Sequence, residues 1–216
     1  MIYGLGHPRS GTAFTADLLQ QSGFDVGHEY LKKDGIVSWE IASLRSDLPW
    51  GNGVTEFEVG SQVFLVARSP LDALKSVVTE CLQTRSIGFR ASVIYENFNV
   101  EIFSQSNQRT SEPQYDYMTW SVLSLIYWYE LCFNHNPEVV FRVDHPEDDL
   151  LLSEYLGKEI SRQDKSLRVN KKPFSTKDYP IGKIENQDPE RLKMLADVCN
   201  RLGYPDDEKK LNSFLK

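Results

Sequence analysis

A chain of 216 residues has room for one sizeable core, and is read here as a single domain, 1–216. With 40% hydrophobic and 25% charged residues it is an ordinary globular mixture, which excludes collagen, coiled coil and wholesale disorder. Asp and Glu outnumber Lys and Arg, 31 to 24, so a broad basic face for nucleic acid is not expected and any anion site has to be built locally.

Ile2-Tyr3-Gly4-Leu5-Gly6 reads as a short strand, and residues 11–21 as a helix with Ala13, Phe14, Leu18 and Leu19 at helical spacing. Phe24-Asp25-Val26-Gly27 fits a second short strand, and residues 38–48 fit a helix with Ser38 as its N-cap. Gln62-Val63-Phe64-Leu65-Val66-Ala67 is a near-continuous apolar run, the pattern of a strand buried on both faces of a parallel sheet. Ser69-Pro70 then opens a helix with the stripe Leu71, Leu74, Val77, Val78 and Leu82. Residues 85–116 are polar, with scattered aromatics, and read as partly helical and partly a mobile flap. Residues 117–134 form a long helix, apolar almost all round. Val139-Val140-Phe141-Arg142-Val143 is a further strand, residues 149–156 a short helix ending at Gly157, and 188–202 an amphipathic helix ending at Gly203. The alternation implies an α/β fold, three layers α/β/α about a central parallel sheet, with ligands at the carboxyl ends of the strands.

Cys81, Cys132 and Cys199 are odd in number, far apart and without CxxC spacing, which points to reduced thiols instead of a disulfide framework or zinc site. The first residues show no basic segment followed by an apolar one, so no signal peptide is expected. The longest apolar-rich run, 120–133, is broken by Ser121, Ser124 and Glu130 and is shorter than the roughly 20 residues of a membrane span. A cytoplasmic protein without a membrane span is the expectation.

Gly6-His7-Pro8-Arg9-Ser10-Gly11-Thr12 lies where the first strand feeds the first helix, so loop N–H groups and the positive end of the helix dipole converge on one point. Its outline is that of a P-loop, yet Thr12 stands where the nucleoside triphosphate version has lysine. Arg9 supplies a cation in its place, as a planar fork suited to two oxygens. The bland reading is a tight capped turn. A second constellation follows the buried strand: Arg68 at its carboxyl end and Ser76 eight positions later, a fork and a hydroxyl for one terminal phosphate. Here the bland reading is an Arg68–Asp72 ion pair.

His7-Pro8-Arg9-Ser10-Gly11-Thr12-Ala13-Phe14 resembles the 5′-phosphosulfate loop of the sulfotransferases that use 3′-phosphoadenosine 5′-phosphosulfate, and Arg68 with Ser76 resembles their 3′-phosphate site. Phe141 to Asp148 is similar to the strand and acidic turn before their late helices. The likeness implies a P-loop-type sulfotransferase domain in which Pro8, Arg9, Ser10, Gly11, Thr12 and Ala13 contact the donor. Ala13 departs from the family's usual hydroxyl at its position, while Phe14 keeps the bulky apolar one. The family also implies a base near this edge of the sheet, Glu29 first, then His28, with Arg9 stabilising the transferring group; His7, within the loop, is an alternative contact to that group. Arg168-Val169-Asn170-Lys171-Lys172 is the segment that would correspond to the family's late basic loop, and a solvated basic stretch is the other reading. Trp39, Trp50 and the aromatics of 85–116 are candidates for an acceptor pocket. The implied reaction is direct sulfuryl transfer to a hydroxyl, a carbohydrate or small alcohol before a protein, with arginine and backbone donors in place of a metal. The alternatives are a P-loop-type nucleotide or small-molecule kinase and a non-catalytic nucleotide-binding protein. A kinase would want lysine at Thr12 and a magnesium-binding aspartate where Arg68 ends its strand.

Overall fold

The computed structural model describes residues 1–45, 52–83, 86–100, 117–162 and 183–215. In chain order the elements are β1 (Ile2–Gly6), α1 (Thr12–Gln21), β2 (Val26–His28), β3 (Gly35–Val37), β4 (Gln62–Ala67), α2 (Pro70–Gln83), α3 (Ser86–Phe98), α4 (Tyr117–Phe133), β5 (Val139–Arg142), α5 (Asp148–Leu156), α6 (Pro189–Arg201) and α7 (Pro205–Ser213). The strands form one five-stranded sheet, all parallel, in the order β2-β3-β1-β4-β5, so the fold is α/β. No helix among the described residues is long and apolar enough to cross a membrane.

The chain divides into two compact units, Met1–Arg68 with Leu131–Lys171 and Ser69–Glu130 with Lys172–Lys216. The first holds the sheet. From β1 the chain runs out to the β2 edge, returns to β3 and then crosses to β4 on the other side. Strand order therefore reverses around β1, and in open α/β sheets ligands sit in the crevice outside the carboxyl ends at such a reversal. Ala16, Leu18 and Leu19 of α1, Leu152 and Leu156 of α5, and Ile160 close one apolar cluster with Val26, Val37, Phe64, Val66 and Phe141 of the strands. Gly4 lets β1 sit at the centre: a Cβ there would lie 2.8 Å from Phe64 Cζ on β4 and 2.9 Å from Val37 Cγ1 on β3. At the end of β5, Arg142 donates from its backbone N–H and its guanidinium to Asp148 at 2.8–2.9 Å, fixing the turn into α5.

The second unit is helical. Ser69 caps α2, its Oγ accepting from the Asp72 N–H at 3.2 Å and donating to Asp207 Oδ2 at 2.7 Å. Arg90 of α3 is fully buried and forks onto both carboxylate oxygens of Glu80 on α2, at 2.6 and 3.0 Å, while its Nε donates to Ser124 Oγ on α4. Breaking a buried pair leaves the other charge stranded, which costs about 3–5 kcal/mol, more than a well-packed apolar replacement of both. Arg90→Met is therefore expected to lower stability in urea by about that much, and Arg90→Met with Glu80→Leu to recover most of it. Equal losses in the single and double variants would contradict the account.

Three sequence expectations are corrected. The helix over 38–48 is, within the described residues, one 3-10 turn at Glu40–Ser43, whose Glu40 N–H donates to Ser38 Oγ at 3.2 Å and which is ended by Leu44 in the left-handed region at φ 48°. The second strand lies at Val26–His28, beginning two residues and ending one residue later than read. β3 and α7 were not anticipated. Within 85–116, residues 86–98 are the regular helix α3, and residues 101–116 lie outside the described residues. Cys132 and Cys199 are buried free thiols, each pushed up by burial and hence inert at neutral pH.

Candidate functional site

The loop after β1 folds tightly back on itself. Ser10 N–H donates to His7 O at 2.9 Å, and a Cβ on Gly6 would fall 2.5 Å from Ser10 Oγ and 2.9 Å from Val66 O. Arg9 (φ 77°) and Gly11 (φ 100°) flank Ser10 in the left-handed region, a backbone shape that turns successive N–H groups toward one side. Gly11 is the N-cap of α1 and brings no side chain to the cap, and no acidic residue occupies the first turn. The first N–H groups of α1 have no intrahelical acceptor. The start of α2 is different: there the Asp207 carboxylate accepts from the Leu71 N–H at 3.1 Å. Ser10 is 1% exposed, and its Oγ is buried with no hydrogen-bond partner among the described residues. An orphaned buried hydroxyl costs about 1–3 kcal/mol, which an anion oxygen in the loop would offset. Pro8 and Thr12 are buried beside it, and Arg9 and Ala13 are partly exposed.

The carboxyl end of β2 meets this loop. Thr12 Oγ1 lies 3.4 Å from His28 Nε2, and His28 Nε2 lies 3.8 Å from Glu29 Oε1. Trp39 Nε1 donates to Glu29 Oε1 at 3.1 Å. Burial pulls the His28 imidazole below its ordinary value, against the opposing pull of Glu29 and Asp17, so it is neutral at neutral pH. Positive charge in this cleft thus comes from arginine. Glu29 adopts φ 63°; apart from two asparagines, the non-glycine residues in the left-handed region are Arg9, Glu29 and Leu44 among the described residues. Such backbone costs about 1–2 kcal/mol, and two of those three positions fall on site residues picked from sequence.

Arg68 follows β4, whose Val66 pairs in register with Gly6 of β1, so Arg68 stands at the same sheet edge as the loop. It is half-buried, and among the described residues of the first unit it makes no hydrogen bond or ion pair. Ser76 lies half-buried on α2 of the second unit. Trp50 and Arg168 to Lys172 lie outside the described residues. His135 and His145 are engaged elsewhere, Nε2 of the first with Ala42 O at 2.7 Å and Nδ1 of the second with Glu147 at 2.7 Å.

Two features of the site escaped the sequence reading. Trp39 was singled out only as a pocket aromatic, and its indole holds Glu29. Val143 and Arg162 were not singled out at all. Val143 packs at the loop, since a Cβ on Gly11 would meet both of its methyl carbons at 2.9 Å. Val143 was read only as part of the strand over 139–143, and no periodicity or motif marks Arg162. The chain matches no family model, no curated protein and no solved structure.

Proposed function

We propose that the chain is a cytoplasmic sulfotransferase of the P-loop type, three-layered about its parallel sheet, that uses 3′-phosphoadenosine 5′-phosphosulfate and a hydroxyl acceptor, a carbohydrate or small alcohol. The observation that carries this reading is the buried Ser10 Oγ, unpartnered among the described residues and set between two left-handed residues at the start of a helix without an acid in its first turn. The donor set fits a phosphosulfate: backbone N–H groups, the Ser10 and Thr12 hydroxyls, and the guanidinium of Arg9. When bound, the cofactor supplies an activated sulfuryl group.

The chain's own residues do the rest. Arg9 and the loop N–H groups neutralise charge on the transferring group and the leaving phosphate, the preorganised electrostatics that carries most of such a barrier. Arg68, at the same edge, is the cation for the second phosphate. Trp39 holds Glu29 Oε1, leaving Oε2 to take the proton of the acceptor hydroxyl. His28, kept neutral by burial, lies between Thr12 and Glu29 and adds no competing charge. The buried free thiols Cys132 and Cys199 accord with a reducing compartment. Incubation with radiolabelled 3′-phosphoadenosine 5′-phosphosulfate and a panel of sugars, small alcohols, phenols and tyrosine peptides tests the reading: label is expected on a sugar or alcohol. Phosphate transfer from ATP without sulfate transfer would overturn it.

A further inference from the structure

We infer that Arg162 is the positioning residue of the anion loop, clamping two walls beside the head of α1. The inference rests on the loop's being an anion site and is independent of which anion it holds. One wall is Val143, just past β5, whose two methyl groups bear on Gly11. Its backbone N–H donates to Ala67 O at 2.9 Å, and its carbonyl accepts from Arg162 Nη1 at 2.9 Å. The other wall is Phe14 in the first turn of α1, with the Arg162 guanidinium 5.2 Å from its ring centroid. The fork is itself held: Nε lies 2.8–2.9 Å from both oxygens of Asp149, and Nη2 is 2.8 Å from Oδ1. Bidentate arginine–carboxylate geometry fixes direction as well as distance, which lysine does not reproduce.

One planar group thus ties the end of β5 and the start of α5 to Val143, which bears on Gly11, and to Phe14 in the first turn of the helix that Gly11 caps. Gly11 caps α1, so a displaced Val143 or Phe14 moves the N–H groups that meet the anion. Displacements near 1 Å at such positions cost up to about a hundredfold. Lys158 provides a matched contrast. Its Nζ donates to Gly23 O at 2.7 Å and lies 4.6 Å from the Phe24 ring centroid, anchoring the same region to the opposite end of α1.

The test compares Arg162→Met, Arg162→Lys, Val143→Ala and Lys158→Met in the full chain. Binding of inorganic pyrophosphate and of adenosine 3′,5′-bisphosphate is measured by calorimetry, and stability by thermal melting. Arg162→Met is expected to raise Kd by about tenfold or more, with Arg162→Lys and Val143→Ala weakening binding less. Lys158→Met is expected to lower Tm and leave Kd alone, a split that a merely structural role for Arg162 would not give. In the ligand-free protein, the amide resonances of Gly11 and Phe14 should move in Arg162→Met and stay in Lys158→Met. Should Arg162→Met fail to fold, Arg162→Lys and Val143→Ala carry the same comparison. Unchanged Kd in the Arg162 variants, equal weakening by Lys158→Met, or an unaltered protein that binds neither anion would overturn the inference. Binding of pyrophosphate without the bisphosphate would sink the phosphosulfate reading, and Arg162 would still be decided on pyrophosphate.

Discussion

Glu29→Gln is expected to lower the turnover of sulfate transfer by about a hundredfold or more while leaving the affinity for adenosine 3′,5′-bisphosphate unchanged. The substitution is chosen because it keeps the carbonyl oxygen that Trp39 Nε1 holds at 3.1 Å and deletes only the atom that accepts a proton. Glutamine also keeps nearly the same volume at φ 63°, so the cost of that backbone is common to both proteins. General-base groups contribute about 10²–10⁴ in rate, which sets the size of the loss. Full turnover in Glu29→Gln, or an equal loss of bisphosphate affinity, would remove Glu29 as the base. The first outcome would pass the role to His28, whose neutral imidazole has Nε2 3.4 Å from Thr12 Oγ1.

Gly11→Ala is expected to weaken bisphosphate binding by about tenfold or more and to destabilise the protein by about 1–2 kcal/mol or more. Two effects add. At φ 100° any side chain strains the backbone, and the new Cβ would lie 2.9 Å from both methyl carbons of Val143. Val143 cannot retreat freely, because its N–H and carbonyl are bound to Ala67 and Arg162. The loop must therefore move, and with it the N–H groups at the head of α1. Gly53→Ala is a useful comparison, since Gly53 is also left-handed, at φ 78°, with nothing within 4 Å of its Cβ position. It should show the backbone strain without the loss of binding; equal binding by Gly11→Ala and the unaltered protein would contradict the cradle.

The β1–loop–α1 unit is legible in the sequence because its signals are local: an apolar run, glycines where the chain doubles back, and helical spacing from Ala13 to Leu19. β4 and α4 are legible for the same reason, being long and apolar, and Ser69-Pro70 marks its helix start through a cap the structure contains. β3 is not, since Gly35–Val37 is only three residues, shorter than the runs that mark strands, and is held by its neighbours β1 and β2. α7 carries a single buried residue, Leu211, so no apolar stripe betrays it. Its usable signals were Pro205 at the first position and the acids Asp206, Asp207 and Glu208 in the first turn. The 3-10 turn at Glu40–Ser43 stops short of a helix where Leu44 turns left-handed, a conformation no pattern at Leu44 foretells.

The candidate site divides in the same way. Arg9, Ser10, Gly11, Thr12 and Arg68 are readable because their spacing after strands is a motif, and the structure sets Arg68 and the loop at one sheet edge. Contacts such as Trp39 with Glu29 and Arg162 with Val143 join segments by tertiary folding alone. No spacing rule spans them. An acidic chain of net charge −7 thus gathers Arg9 and Arg68 at one sheet edge, a charge arrangement suited to a small, highly anionic cofactor and not to a polyanion.

This edge is expected to hold a 3′,5′-bisphosphorylated adenosine in preference to a triphosphate with magnesium. Thermal melting of the unaltered protein with each ligand tests it most directly. Adenosine 3′,5′-bisphosphate at about a hundred times its Kd is expected to raise Tm by roughly 5–10 °C, and ATP with magnesium to raise it much less. A larger shift with ATP and magnesium, or none with the bisphosphate, would contradict the sulfotransferase account.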